Sequence, residues 1–105
     1  MAEFELLLGR NIARYGEVSD AEFQDFLAKT VVPAFPDGFS VSDAQGHYRA
    51  PGTAAPIQER AKIITIIVPD TPETATRIAA IAAAYKALFA QDSVGTLHLP
   101  VCAAF

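Results

Sequence analysis

The chain predicts an α+β fold of the ferredoxin-like type: a βαββαβ sandwich with a four-stranded antiparallel sheet and two helices on one face. Three observations lead there. Two segments open with helix-capping residues and continue with apolar residues at helical spacing, and four others alternate or run β-branched. All six fit in order within 105 residues, the length of a single domain covering residues 1–105. Right-handed crossovers then predict the spatial order 4-1-3-2, with the third strand central.

The first strand is read from Phe4, Leu6 and Leu8 alternating with Glu3, Glu5 and Leu7, and Gly9 closes it. A loop follows from Arg10 to Glu17. Ser19 and Glu22 then form a capping box, with Val18 placed to staple onto Phe23. Phe23, Phe26, Leu27 and Val31 make one helical face, which Pro33 and Pro36 are expected to end. Pro36-Asp37-Gly38 signals a turn. Phe39 and Val41 alternate with Ser40 and Ser42 as the second strand. Asp43 to Gly46 reads as a bulge or tight turn before His47-Tyr48-Arg49 resumes the extended chain.

Arg49 to Pro56 is a loop by composition. Lys62 to Val68 is the strongest strand, almost wholly β-branched and apolar, and its unbroken run predicts burial on both faces. Thr71 caps the second helix, with Pro72 at its first position, where a missing N–H costs nothing. Ile78, Ile81, Ala82, Tyr85, Leu88 and Phe89 form its apolar stripe. Ser93 to Phe105 is the last strand, and Pro100 marks it as an edge or a bulge.

Composition narrows function. At 51% hydrophobic residues the chain can bury a core, and a net charge of −4 opposes general nucleic-acid binding. A single cysteine rules out an intrachain disulfide. Two histidines and one cysteine, without C-x-x-C or H-x-x-x-H spacing, predict no metal and no cofactor. No apolar stretch approaches the roughly 20 residues of a membrane span. The start Met1-Ala2-Glu3-Phe4-Glu5 is no signal peptide, so the sequence as written reads as cytoplasmic; removal of a leader would make it periplasmic or exported.

Phe35-Pro36-Asp37-Gly38, Asp43-Ala44-x-Gly46-x-Tyr48-Arg49, Glu59-x-x-Lys62, Ala84-Tyr85-Lys86-x-x-Phe89 and Val101-Cys102-x-x-Phe105 follow one another along the chain. In this combination the chain resembles a small bacterial family known only as a domain of unknown function. The resemblance covers nearly the whole length. It implies export through a leader or a lipid-attachment cysteine, neither of which stands in this sequence. Family members tend to carry Trp where this chain has Tyr48. The resemblance implies no activity.

Candidate chemistry gathers at strand ends and loops. Arg10, Arg14, Arg49, Arg60 and Lys62 would form an anion site if they converge, since guanidinium forks grip carboxylate or phosphate at two points. The rival reading pairs them with Glu17, Asp37, Asp43 and Glu59 at the surface. His47, with a pKa near neutrality, is a candidate base, and alternation puts it on the face of Arg49 and opposite Tyr48. Glu59 is a candidate acid or base at a cavity mouth, or a charged flank that keeps a sticky strand from aggregating. His98 and Cys102 stand about 13 Å apart if extended, too far for a catalytic pair, so Cys102 is read as a buried structural residue.

The leading reading is a homo-oligomeric domain binding a small organic ligand, an anionic one if the arginines converge. The ligand residues would be Arg10, Tyr15, Tyr48, Arg49 and Arg60, with His47 and Glu59 as catalytic candidates. One alternative is a cofactor-independent enzyme of proton-transfer, isomerase, lyase or monooxygenase type in a sheet-lined cavity. The other is a structural or protein-binding subunit docking through a bare sheet face, since Leu7, Ile63 and Ile67 would lie opposite the helices.

Overall fold

The computed structural model describes residues 1–12, 16–49, 52 and 55–105. Its main elements are β1 (Ala2–Gly9), α1 (Asp20–Phe26), β2 (Ser40–Arg49), β3 (Pro56–Val68), α2 (Pro72–Phe89) and β4 (Gly95–Pro100). The sheet order is β2-β3-β1-β4, and every neighbouring pair is antiparallel. This is the expected 4-1-3-2 order of a ferredoxin-like sandwich.

Strand alternation divides the sheet into a closed and an open face. Phe4, Leu6 and Leu8 of β1 and Ile64 and Ile66 of β3 are buried under the helices. They meet Phe23, Phe26 and Val31 from the first helix and Ile78, Ile81, Tyr85 and Phe89 from α2. The helices join through an edge-on contact of Phe26 with Tyr85, ring centroids 5.2 Å apart. Leu88 belongs to the margin of its stripe and is exposed.

The first helix starts as its sequence requires. Ser19 accepts from the Glu22 amide, and Glu22 accepts from the Ser19 amide. Its end differs from expectation. The helix passes through a wide π turn at Leu27–Val31 and finishes with Val32–Ala34, so Pro33 lies within it. In the wide turn the Val32 amide reaches back to the Leu27 carbonyl. That shift of the ladder carries a proline, which has no N–H to give, without a break.

β2 and β3 are longer than their sequences suggest. Pairing runs without interruption from Ser40 opposite Thr65 to Arg49 opposite Pro56, so Asp43 to Gly46 is plain strand. β3 begins at Pro56, six residues before the apolar run. Only Ile64 and Ile66 of that run are fully buried, whereas Ile63, Thr65 and Ile67 lie half-buried on the open face. Burial on both faces therefore does not hold within one chain. β4 ends at Pro100, and Cys102 beyond it is exposed rather than buried.

Arg10 locks the exit of β1. It is 2% exposed, and its Nε and Nη2 donate to the Val18 carbonyl at 3.0 and 2.7 Å. Nη2 also donates to Asp20 at 2.9 Å, and the Val18 amide returns a bond to the Arg10 carbonyl. Beside it, Asn11–Ile12 pairs with Gly16–Glu17. The Tyr85 hydroxyl ties α2 to the same strand end by donating to the Gly9 carbonyl at 2.6 Å. Burial pushes that phenol up to about 12.

Two outcomes follow. Tyr85→Phe should destabilise the fold by about 1 kcal/mol in urea unfolding, the worth of one buried hydrogen bond. Arg60 donates twice to Glu17 and holds its carboxyl below the ordinary range. A depressed carboxyl contributes stability above its unfolded pKa and loses it as pH falls through the folded one. The advantage of wild type over Glu17→Gln should therefore shrink on acidification through that range.

Candidate functional site

The open face carries Glu3, Glu5, Leu7 and Gly9 of β1 beside Ile57, Glu59, Ala61, Ile63, Thr65 and Ile67 of β3, because paired residues share a face. At one end of this face lies a shallow cleft of about 740 Å³. Its floor is low because Gly9, Gly46, Ala61 and Gly95 have little or no side chain, and Leu7 and Ile57 add apolar surface. Tyr48, Arg49 and Glu59 line it from β2 and β3, and Gln91, Asp92 and Ser93 from the loop before β4.

Glu59 is the half-buried acid of this cleft. Its Oε2 accepts from the Asn11 amide at 3.1 Å. Tyr48 stands on the neighbouring strand, directly opposite Ile57. Burial raises the Tyr48 phenol above its ordinary value first, and the charge and hydrogen-bonding of Glu59, then the charge of Asp92, raise it further. Each keeps the proton on the phenol. The cleft thus combines an aromatic surface with two carboxylates, and Arg49, at the end of β2, borders the same rim.

The loop bearing Asp92 is fixed by Gln91, whose Nε2 donates to the Asn11 and Phe89 carbonyls at 2.7 and 3.2 Å. Asn11 therefore connects both walls: its amide holds Glu59 and its carbonyl holds Gln91. Ala90, in the left-handed conformation, ends α2 and turns the chain into this loop.

The sequence-predicted residues divide into two groups. Tyr48, Arg49 and Glu59 come together in the cleft. Arg10 and Arg60 belong to the ion pairs and carbonyl bonds at the other side of the sheet, where Lys62 pairs with Asp43 and sits 5.5 Å from the centroid of Phe23. His47 is exposed on β2, with its Nδ1 3.4 Å from Gln58 Nε2. Tyr15 and Arg14 lie outside the described residues, as does most of the segment between β2 and β3. His98 stacks on Phe4 at 4.3 Å and contacts Asp70 at 3.0 Å. Among the described residues no three His, Cys, Asp or Glu side chains gather as metal ligands, and no helix is long and apolar enough to cross a membrane.

Sequence reading missed Gly9, Asn11, Gln91 and Asp92. The signal the sequence does carry is for Glu59: the alternation Ile57-x-Glu59-x-Ala61-x-Ile63 places it on the open face once β3 is extended back to Pro56.

Fold and cleft define a class, the small ferredoxin-like α+β domain with an open sheet face. The chain belongs to the family described as "Protein of unknown function (DUF3574)", whose model matches residues 3–105. No curated protein matches its sequence. Among solved structures it is similar to a phage SAM lyase in complex with S-methyl-5'-thioadenosine, with a TM-score of 0.75 and 16% identity over 92% of this chain and 78% of that one. The same lyase in its apo state gives 0.69 at 16% identity and the same coverage. A DUF3240 family protein from Shewanella baltica OS155 gives 0.52 at 14% identity, over 99% of this chain and 93% of that one. At these identities the likeness shows the fold.

The electrostatics give a direct expectation. In a spectroscopic phenol titration, the component lost in Tyr48→Phe should titrate above the ordinary tyrosine value. Glu59→Gln should move it down. An unchanged Tyr48 titration in that variant would separate the two side chains.

Proposed function

We propose that this chain binds a small zwitterionic organic molecule in the open-face cleft, and that the ligand class is an adenosyl sulfonium amino acid or the thioether nucleoside derived from it. The observation that carries this reading is the placement of Glu59 and Tyr48 together over a low glycine floor, with Arg49 at the rim. A sulfonium is an organic cation. It is attracted to a carboxylate and to the face of an aromatic ring, more strongly where water is thinned. The ligand's own carboxylate matches the guanidinium fork of Arg49. The flat floor suits a planar base.

The likeness to a SAM lyase bound to S-methyl-5'-thioadenosine supports the ligand chemistry and favours lyase activity over simple capture. In such a reaction the carbon–sulfur bond breaks and its electron pair stays on sulfur, giving a neutral thioether. The amino-acid fragment closes on its own carboxylate, a carbon–oxygen bond forming as the carbon–sulfur bond breaks, so the atoms balance without a second reactant. Glu59 would then bind the cation in the ground state and govern its release as charge disappears.

Oligomerisation belongs to this reading. Leu7, Leu97 and Leu99 are 39%, 38% and 47% exposed on the cleft's own face. A second copy covering them would exclude water from the cleft as well as bury apolar surface.

Calorimetric titration with S-adenosylmethionine and with S-methyl-5'-thioadenosine tests the binding, and chromatography of the incubated mixture tests for thioether release. Glu59→Gln, which removes the charge facing the cation, and Arg49→Ala, which removes a charged hydrogen bond, should each weaken binding of the sulfonium at least about tenfold. His47→Ala should leave it unchanged, because His47 stands outside the cleft. Absence of binding by wild type at millimolar ligand, or wild-type affinity in Glu59→Gln, would overturn the reading.

A further inference from the structure

Gly9 is a glycine that its own backbone does not require. The glycines with positive φ among the described residues are Gly16, Gly38 and Gly52, so Gly9 has a conformation open to any residue. Its neighbour supplies the requirement. A Cβ on Gly9 would stand 2.7 Å from Glu59 Oε1, 2.8 Å from Oε2 and 2.9 Å from Cδ, so close that something would have to shift.

The carboxylate has reason to stay where it is. Its Oε2 is held by the Asn11 amide at 3.1 Å. Asn11 is held in turn through its carbonyl by Gln91. The β1 backbone beneath is also fixed. The Gly9 carbonyl accepts from Tyr85, the Arg10 amide donates to the Arg60 carbonyl at 3.0 Å, and Gly9 is in register with Ala61 of β3. On the other side Glu59 faces Gly46 of β2, and a Cβ there would meet the Glu59 carbonyl at an unstrained 3.8 Å. Of these two glycines, Gly9 alone is demanded by the carboxylate.

We propose that Gly9 is the positioning residue of the cleft. Its missing side chain lets the Glu59 carboxylate lie over the end of β1, where the Asn11 amide orients Oε2 and leaves Oε1 to meet the ligand. The inference rests on the ligand reading above, but the contact at its centre can be tested without any ligand. A methyl group at position 9 displaces the carboxylate from the Asn11 amide. The same methyl is harmless once the carboxylate is gone, and there it favours folding by restricting the unfolded chain.

The experiment is a double-mutant cycle on the full chain with Gly9→Ala, Glu59→Ala and the double variant, read by urea unfolding and by calorimetric binding of S-adenosylmethionine. The structural readout is the pH-dependent shift of the Asn11 amide resonance, assigned to Glu59 by its loss in Glu59→Gln. Gly9→Ala should destabilise wild type, diminish the Asn11 response and weaken binding at least about tenfold. In the Glu59→Ala background it should be neutral or stabilising and cost no further affinity. An equal stability cost in both backgrounds, or an undiminished Asn11 response in Gly9→Ala, would overturn the proposal; so would a Gly9→Ala variant that binds like wild type. If wild type does not bind the sulfonium, the ligand reading fails and binding drops out of the cycle. The stability cycle and the Asn11 resonance still decide whether Gly9 positions Glu59.

Discussion

Everything in this molecule depends on β1 lying between two strands with helices on one side only. Its backbone bonds to β3 and to β4, so its register is set twice, and alternation then leaves no choice about where each side chain goes. Phe4, Leu6 and Leu8 enter the core and Leu7 and Gly9 do not. A one-residue slip would expose the core set and bury Glu3 and Glu5. The open face, and with it the cleft, is the necessary complement of that packing rather than a separate feature.

The strand's end concentrates the consequences. Within three residues, Gly9 receives the Tyr85 hydroxyl, Arg10 reaches across the loop to the Val18 carbonyl, and Asn11 holds Glu59 and Gln91. Helix, loop and cleft are therefore fixed to one short piece of backbone. Changes at the Tyr85 hydroxyl can reach the cleft through the Gly9 peptide, although the ring itself is buried on the opposite face.

Local chemistry was the most legible part of the sequence. The Ser19–Glu22 capping box and the Thr71-Pro72 helix start are interactions within one turn, and they appear as written. The sheet order was legible because chirality leaves few routes for six short elements. What failed depended on distant partners. The start of β3 at Pro56 is set by pairing with β2, which the polar Gln58-Glu59-Arg60 stretch does not announce. Pro33 survives inside a helix because the ladder shifts to a wide turn, a choice made by packing rather than propensity. In the cleft, Tyr48, Arg49 and Glu59, singled out by residue type, line one pocket. Gly9 and Asn11 act through a bare Cα and a backbone amide, and a side-chain alphabet cannot signal either.

The central claim is that the Gly9–Gly46 end of the open face, not the helix side or the opposite sheet end, holds the ligand. A crystal structure of the protein with S-methyl-5'-thioadenosine tests it most directly. The account predicts the nucleoside over the Gly9–Gly46 floor, with its sulfur beside Tyr48 and Glu59 Oε1 the nearest carboxylate oxygen. The nucleoside seated instead in the hollow lined by Met1, Phe39, Ile67 and Phe105 at the far end of the sheet, or among the helices, would contradict it.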